Sequence, residues 1–226
     1  MKKHLLLIGF SCTGKTSLGG SVFQGANIID SDDEILKWIE ETTQKRYEHI
    51  YQVYMCSGRD QAIRLIEQAE EALISKWADD REPKIISLGP GVPSRSGWSR
   101  LRAASHVVLF RRSPQGIYES LKGRRDQVFK RCADAKFHDN WDVDVMVDGD
   151  RTEYSPQVAV NKIAGLLAER ERYYQDHDAE VNTDDRDQAK IELRAIWERF
   201  DAEQSGSTEP RDAASPPHST PGARGR

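Results

Sequence analysis

From Gly9 to Thr16 the chain reads Gly-Phe-Ser-Cys-Thr-Gly-Lys-Thr, a G-x-x-x-x-G-K-T loop that follows a short apolar run and has the residue types needed to hold a polyphosphate. Gly9 and Gly14 allow backbone angles that a side chain would block, so the N–H groups between them can turn inward around an anion. Lys15 is placed to reach β- and γ-phosphates, and the Thr16 hydroxyl to ligate Mg²⁺. A helix starting near Lys15 adds partial positive charge at its N-terminus. Cys12, Thr13, Gly14, Lys15, Thr16 and Ser17 are therefore the expected nucleotide-binding residues, with ATP and Mg²⁺ as the expected ligands. Cys12 serves as a small residue that fits the loop, although a thiol at a helix N-terminus is also a place for a lowered pKa.

A second acidic element, Ile28-Ile29-Asp30-Ser31-Asp32-Asp33-Glu34-Ile35, follows. An acid at the end of a strand beside the phosphate loop suits Mg²⁺, directly or through water, which makes Asp30 and Thr16 the expected metal residues. Asp32, two residues on, is placed to accept a hydrogen bond from a hydroxyl undergoing phosphorylation. The same acids also suit the cap and first turn of a helix. A third element, Ile86-Ser87-Leu88-Gly89-Pro90-Gly91, puts a tight turn after a buried strand, where a hydroxyl or carboxylate could approach backbone N–H groups. Pro90 lacks one and fixes φ, so a contact at the middle of this turn is left to its carbonyl or to shape.

The elements that must carry these residues alternate. Short apolar runs at Leu5 to Ile8, Ile28 to Ile29, Lys84 to Leu88 and His106 to Phe110, with a weaker one at Glu180 to Asn182, read as buried parallel strands. Helical periodicity marks Ile35, Trp38 and Ile39, then Ile63, Ile66, Ala69, Leu73 and Trp77. Further helices are expected at Ser94 to Ala104, at Pro114 to Lys122 with Ser113 as cap and Pro114 at its first position, at Pro156 to Tyr174 and at Gln188 to Phe200. This alternation implies an α/β domain with a parallel sheet and helices on both faces. Gly123 to Ser155 is polar and weakly patterned and reads as an inserted loop or lid.

With 226 residues, 37% hydrophobic and 31% charged, and a net charge of −4, the chain fits one domain over 1–200 without the basic excess of a nucleic-acid binder. Beyond Asp201 it is rich in Ser, Thr, Pro, Gly and Arg, and a disordered tail over 201–226 is expected. Three cysteines, Cys12, Cys56 and Cys132, make neither a C-x-x-C pair nor a metal cluster and point to a reducing, cytoplasmic setting. Lys2 and Lys3 precede an apolar stretch too short for the core of a signal peptide. No membrane or nucleic-acid partner is expected, and a monomer is.

The opening Leu-Ile-Gly-Phe phosphate loop, Asp30-Ser31-Asp32 with its following Glu-Ile, and Ser87-Leu88-Gly89-Pro90-Gly91 resemble, in order, three signatures of the shikimate kinase family. Arg170-Glu171-Arg172-Tyr173-Tyr174 and the Thr183-Asp184-Asp185 turn extend the similarity, which spans roughly residues 4 to 200 in blocks. The family's middle turn has three glycines where this chain has Pro90. The resemblance implies a P-loop nucleotide-kinase-like three-layer fold, with a parallel sheet of about five strands flanked by helices. It also implies transfer of the γ-phosphoryl group of ATP to the 3-hydroxyl of shikimate, a small carboxylated polyol, on the route to chorismate and aromatic amino acids. Arg64, in Ile63-Arg64-Leu65-Ile66-Glu67, matches the family's Phe-Arg-x-x-Glu helix, with Arg59 as its fallback, and Arg170 matches the second carboxylate-binding arginine. Asp32, Arg64, Gly89, Gly91 and Arg170 are thus the implied substrate residues. Lys15, Asp32 and a lid arginine, Arg125 or its neighbour Arg124, are the implied catalytic ones, the lid arginine also contacting ATP. Two other readings fit the same loop: a kinase of another small acceptor, such as gluconate or a nucleoside monophosphate, and a nucleotide-binding regulatory module without catalysis.

Overall fold

A computed structural model describes residues 3–23, 25–131 and 156–204. Five parallel strands form its sheet: β1 (His4–Gly9), β2 (Ile28–Asp30), β3 (Ile85–Ser87), β4 (Ser105–Arg111) and β5 (Ala179–Asn182), in the order β2-β3-β1-β4-β5. Every residue of β1 is buried, as its central position requires. The weak apolar stretch at Glu180 to Asn182 is the edge strand.

Alternate residues of the strands feed two cores. Leu6, Ile8, Ile86, Val107 and Leu109 face one side, where Ile35, Ile39, Ala69, Leu73 and Trp77 pack on them. These come from α2 (Ser31–Thr43) and α4 (Arg59–Asp79). Leu5, Leu7, Ile85, Val108 and Phe110 face the other side, packed by Leu18, Val22, Leu193, Ile196 and Phe200 from α1 (Lys15–Val22) and α8 (Arg186–Gln204). Period-two alternation within strands and helical stripes outside them produce the three layers.

Between these lie α3 (Ile50–Ser57), α5 (Trp98–Ala103), α6 (Pro114–Arg131) and α7 (Pro156–Tyr174). The expected helix from Ser94 to Ala104 is instead a 3₁₀ turn at Val92–Ser94 followed by α5. Helix α6 does not stop at Lys122: it continues through Gly123 to Arg131. Arg, Lys and Gln are good helix formers and carry the backbone past one glycine, at a cost of about 1 kcal/mol. Its start is as expected, with the Gly116 N–H donating to Ser113 Oγ at 3.1 Å. Helix α8 extends four residues past Phe200. The remainder of the expected lid, residues 132–155, and of the expected tail, residues 205–226, lies outside the described residues, as does Cys132; Cys12 is half-buried and Cys56 exposed. No helix among the described residues is long and apolar enough to cross a membrane.

At the base of β1, His4 is fully buried. Burial holds its imidazole below the ordinary value of 6.5, although Asp80 works in the opposite direction. In the unfolded chain the ring protonates below about pH 6.5, while in the native state it stays neutral to lower pH, so the unfolded state binds the extra proton. Stability should therefore fall as pH drops below 6.5, by at most about 1.4 kcal/mol per pH unit from this group. Urea melts at pH 7.5 and 5.5 should show that slope shrinking in His4→Leu; an unchanged slope would assign the pH dependence to other groups.

Candidate active site

The phosphate loop joins β1 to α1 and owes its shape to close backbone approach. A β-carbon at Gly9, where φ is +137°, would stand 2.4 Å from the Phe110 carbonyl oxygen on β4, a separation real atoms do not tolerate. Gly14 is left-handed at φ +88°, and Cys12 adopts φ +62°. Within the loop Thr13 Oγ1 donates to the Phe10 carbonyl at 2.9 Å. Lys15, only 9% exposed, donates from Nζ to the carbonyls of Gly9 and Phe10, both at 2.9 Å. Its ammonium thus lies across the start of the loop whose N–H groups would surround a phosphate.

At the next turn the Thr16 hydroxyl donates to Asp30 Oδ2 at 2.8 Å and lies 2.9 Å from Ser87 Oγ. Parallel pairing puts Asp30 opposite Ser87 at the ends of β2 and β3, which is why the three oxygens converge. The other oxygen of Asp30, Oδ1, accepts the Asp32 N–H at 3.0 Å and caps α2. Asp30 therefore caps α2 with one oxygen and meets the Thr16 hydroxyl with the other. A hydroxyl and a carboxylate beside a phosphate loop form a hard-oxygen donor set that fits Mg²⁺, which keeps several waters and binds through one or two carboxylates plus phosphate oxygens. Asp30→Asn keeps a capping side chain and loses the charge, so its melting temperature should stay near wild type while the Mg²⁺ requirement for turnover rises at least about tenfold. Asp30→Ala should in addition lose about 1 kcal/mol of stability.

Across the same opening lies the Gly89–Gly91 turn. The Gly89 N–H donates to the buried Ser31 hydroxyl at 2.7 Å, and Pro90 has none to offer, which leaves Gly91 to present the N–H of the turn. The Pro90 carbonyl accepts from the Tyr174 hydroxyl at 3.1 Å. A β-carbon at Gly89 would meet Asp32 Oδ1 at 3.5 Å, so Asp32 stands directly over this turn. Ser11, Cys12, Gly14, Lys15, Thr16, Asp30, Asp32, Gly89 and Pro90 line one cleft of about 270 Å³, which brings the phosphate-loop motif, the Thr16–Asp30 pair and the Asp32 carboxylate into a single space.

Bound ligands aside, that union is what a phosphoryl-transfer site needs: a donor cradle and an acceptor-side carboxylate facing each other. No protein-family model matches the sequence, and none of the curated proteins is similar to it. Solved structures are. A shikimate kinase from Bacteroides thetaiotaomicron superposes with a TM-score of 0.58 at 18% identity, covering 88% of this chain and 98% of that one. A shikimate kinase from Acinetobacter baumannii in complex with shikimate gives 0.56 at 14% identity, covering 92% and 96%. The fold is that of the shikimate kinases.

Within that fold the two arginines expected for substrate separate. Arg170, near the end of α7, lies with its guanidinium carbon 5.5 Å from the centre of the Phe10 ring, at the entrance to the phosphate loop. Its helix is fastened to the sheet by the neighbouring Glu171, which receives both terminal nitrogens of Arg111 at 2.7 and 2.6 Å, while Arg111 Nε pairs with Glu180 at 2.7 Å. Burial raises the pKa of Tyr174, the residue on the Pro90 carbonyl, and adjacent Arg170 acts against that rise. Arg64, by contrast, is exposed on α4, and Arg59 is exposed at its first residue. Arg59, Arg64 and Arg170 all stand outside the lining of the cleft. Arg124 and Arg125 belong to the last turns of α6, and their side chains lie outside the described residues.

Two charged residues that sequence motifs did not single out, Glu70 and Arg95, lie beside Gly91. Glu70, on α4, is 5% exposed. Burial pushes its carboxyl above the ordinary value, and Arg95 pulls it back. Arg95 Nε donates to Glu70 Oε2 at 2.5 Å, and its Nη1 to Glu67 Oε1 at 2.8 Å. A sequence signal for Glu70 did exist: it falls four residues after Ile66 and three before Leu73, on the apolar stripe of α4.

Proposed function

We propose that the protein is an ATP-dependent small-molecule kinase that moves the γ-phosphoryl group of ATP to a hydroxyl of a carboxylated polyol, with the 3-hydroxyl of shikimate as the leading acceptor. The observation that carries this reading is the shared cleft, in which the phosphate loop and the Thr16–Asp30 pair face Asp32 across the Gly89–Gly91 turn. The shikimate kinase fold, and the shikimate held by the Acinetobacter baumannii enzyme, support the choice of acceptor.

In this mechanism the loop N–H groups and Lys15 bind the donor phosphates and stabilise charge on the transferring group. Thr16 and Asp30 would hold Mg²⁺, which when bound would neutralise phosphate charge. Asp32 orients the acceptor hydroxyl and receives its proton, while Arg170 draws an acceptor carboxylate toward the turn. Little covalent work falls to the protein, and positioning does most of it.

Release of ADP from ATP and Mg²⁺ against shikimate, gluconate and nucleoside monophosphates tests the reading. Shikimate-dependent turnover is the expected result. Turnover on gluconate or a nucleotide alone moves the acceptor assignment, and ATP binding with no turnover on any of them establishes a regulatory module.

A further inference from the structure

Pro90 followed by Gly91 is a pair most at home in a type II turn: proline suits the second position, and glycine takes the positive φ, about +80°, that the third requires. The turn that forms is of the other type. The Val92 N–H closes it on the Gly89 carbonyl at 3.3 Å, and Gly91, its third residue, stands at φ −84° and ψ −24°, as in type I.

The two forms differ by the rotation of one peptide, that between Pro90 and Gly91. Such a flip changes ψ of the proline and φ of the glycine and leaves the flanking peptides almost in place. The closing bond from Val92, and those from Ser94 N–H and Oγ to the Gly91 carbonyl at 3.0 and 2.6 Å, are therefore open to both forms. The bond to the Pro90 carbonyl is open to one. Tyr174 donates its hydroxyl to that carbonyl at 3.1 Å. Because C=O and N–H of a trans peptide point opposite ways, a flip would carry the oxygen off the hydroxyl and reverse the Gly91 N–H.

The hydroxyl itself is firmly placed. Tyr174 is 3% exposed, burial keeps the proton on its oxygen, and its carbonyl lies 2.7 Å from His177 Nδ1. Its helix, α7, is clamped to β4 by the Glu171–Arg111 pair. One turn back on the same helix, Arg170 lies over the Phe10 ring of the phosphate loop.

We infer that Tyr174 is a positioning residue of the acceptor side: from α7 it holds the Pro90–Gly91 peptide in the type I form, against the preference of the Pro-Gly pair, and so sets which end of that peptide an acceptor meets at Pro90, in the wall of the cleft. What concerns the acceptor rests on the kinase reading given above, and what concerns the turn stands without it. Without the hydroxyl the protein divides between two forms. An acceptor fitted to type I then binds more weakly in proportion to the fraction of that form, while saturation draws all of the protein back into it.

Nuclear magnetic resonance of the isotope-labelled full chain tests the turn. In type II the Pro90 Hα lies against the Gly91 N–H, and in type I the two are well apart, so the Overhauser contact between them reports the flip. It should be weak in wild type and strong in Tyr174→Phe, which keeps the ring and loses only the hydroxyl. The double variant Tyr174→Phe, Gly91→Ala should be weak again, because a β-carbon disfavours positive φ; its nearest neighbours in the type I form are the side-chain ends of Glu70 and Arg95, at 3.3 and 3.4 Å. If the double variant does not fold, the single one decides. With shikimate as acceptor, Tyr174→Phe should raise KM about three- to tenfold, the scale of one neutral hydrogen bond, with kcat and ADP affinity within about twofold of wild type. A strong contact in wild type, or a weak one in Tyr174→Phe, overturns the inference, and a flip with unchanged KM overturns its acceptor half. A flip in Tyr174→Phe with no turnover by wild type on any acceptor sinks the kinase and keeps the turn, whereas turnover by wild type with no flip in the variant does the reverse.

Discussion

On the proposed kinase reading, Lys15→Ala should lower turnover of the acceptor at saturating ATP by about 10²- to 10³-fold, the cost of deleting one preorganised charge-stabilising donor. The ammonium already lies across the loop, bonded to the carbonyls of Gly9 and Phe10, and therefore needs no large movement to meet a phosphate. Deleting it removes both a loop brace and a positive charge, so the two effects must be read separately. Thermal melting reports the brace, and titration with ADP reports the ground-state part of the charge. A fall in kcat that exceeds the fall in ADP affinity is the expected pattern, since the negative charge to be stabilised is greatest during transfer. Equal losses in both would show that Lys15 serves binding alone.

The second large effect is expected at Asp32. Asp32→Asn keeps size and hydrogen-bonding capacity but cannot accept the hydroxyl proton, and kcat should fall by about 10²- to 10⁴-fold with nucleotide affinity unchanged. The fold should survive, because the side chain that caps α2 is that of Asp30, whose Oδ1 accepts the Asp32 backbone N–H. Steady-state ADP release and a melting curve on the same preparation check both statements. A loss of less than about threefold would leave Asp32 a positioning role and place the proton elsewhere.

Much of this architecture was legible in local sequence. Strands buried on both faces cannot alternate with polar residues, so runs such as Leu5 to Ile8 and Val107 to Phe110 identify themselves. The phosphate loop and the Asp30–Asp32 element are likewise short, contiguous and chemically constrained. What was not legible depends on three-dimensional proximity. Arg95 meets Glu70 across 25 residues of chain, and no spacing rule anticipates such a pairing. Arg64 illustrates the converse. Its surroundings resemble a motif, but it shares the outer face of α4 with Gln61 and Gln68, all exposed, whereas Glu70 falls on the inner stripe. A carboxylate at an apolar position was the informative irregularity, because a buried charge demands a partner. Helix α6 was cut short for a related reason: amphipathic periodicity reports packing, and a helix sustained by intrinsic propensity leaves no such trace.

The glycine turn invites a last thought, about entropy. Its first N–H is fixed by Ser31, its middle carbonyl by Tyr174, and its middle φ by the proline ring. A three-glycine segment would be among the most mobile stretches a chain can have and would surrender that freedom whenever a ligand docked. Here most of the freedom is surrendered on folding, and Pro90 reduces even the unfolded chain's share of it. On the proposed reading, an acceptor arriving at this turn meets a surface already ordered, so a greater part of each contact should appear as affinity. Because Ser31 lies between Asp30 and Asp32 in the chain, the same rigidity ties the geometry of the Thr16–Asp30 pair to that of the glycine turn. Mg²⁺ with nucleotide and the acceptor should therefore strengthen each other's binding, and by equal factors.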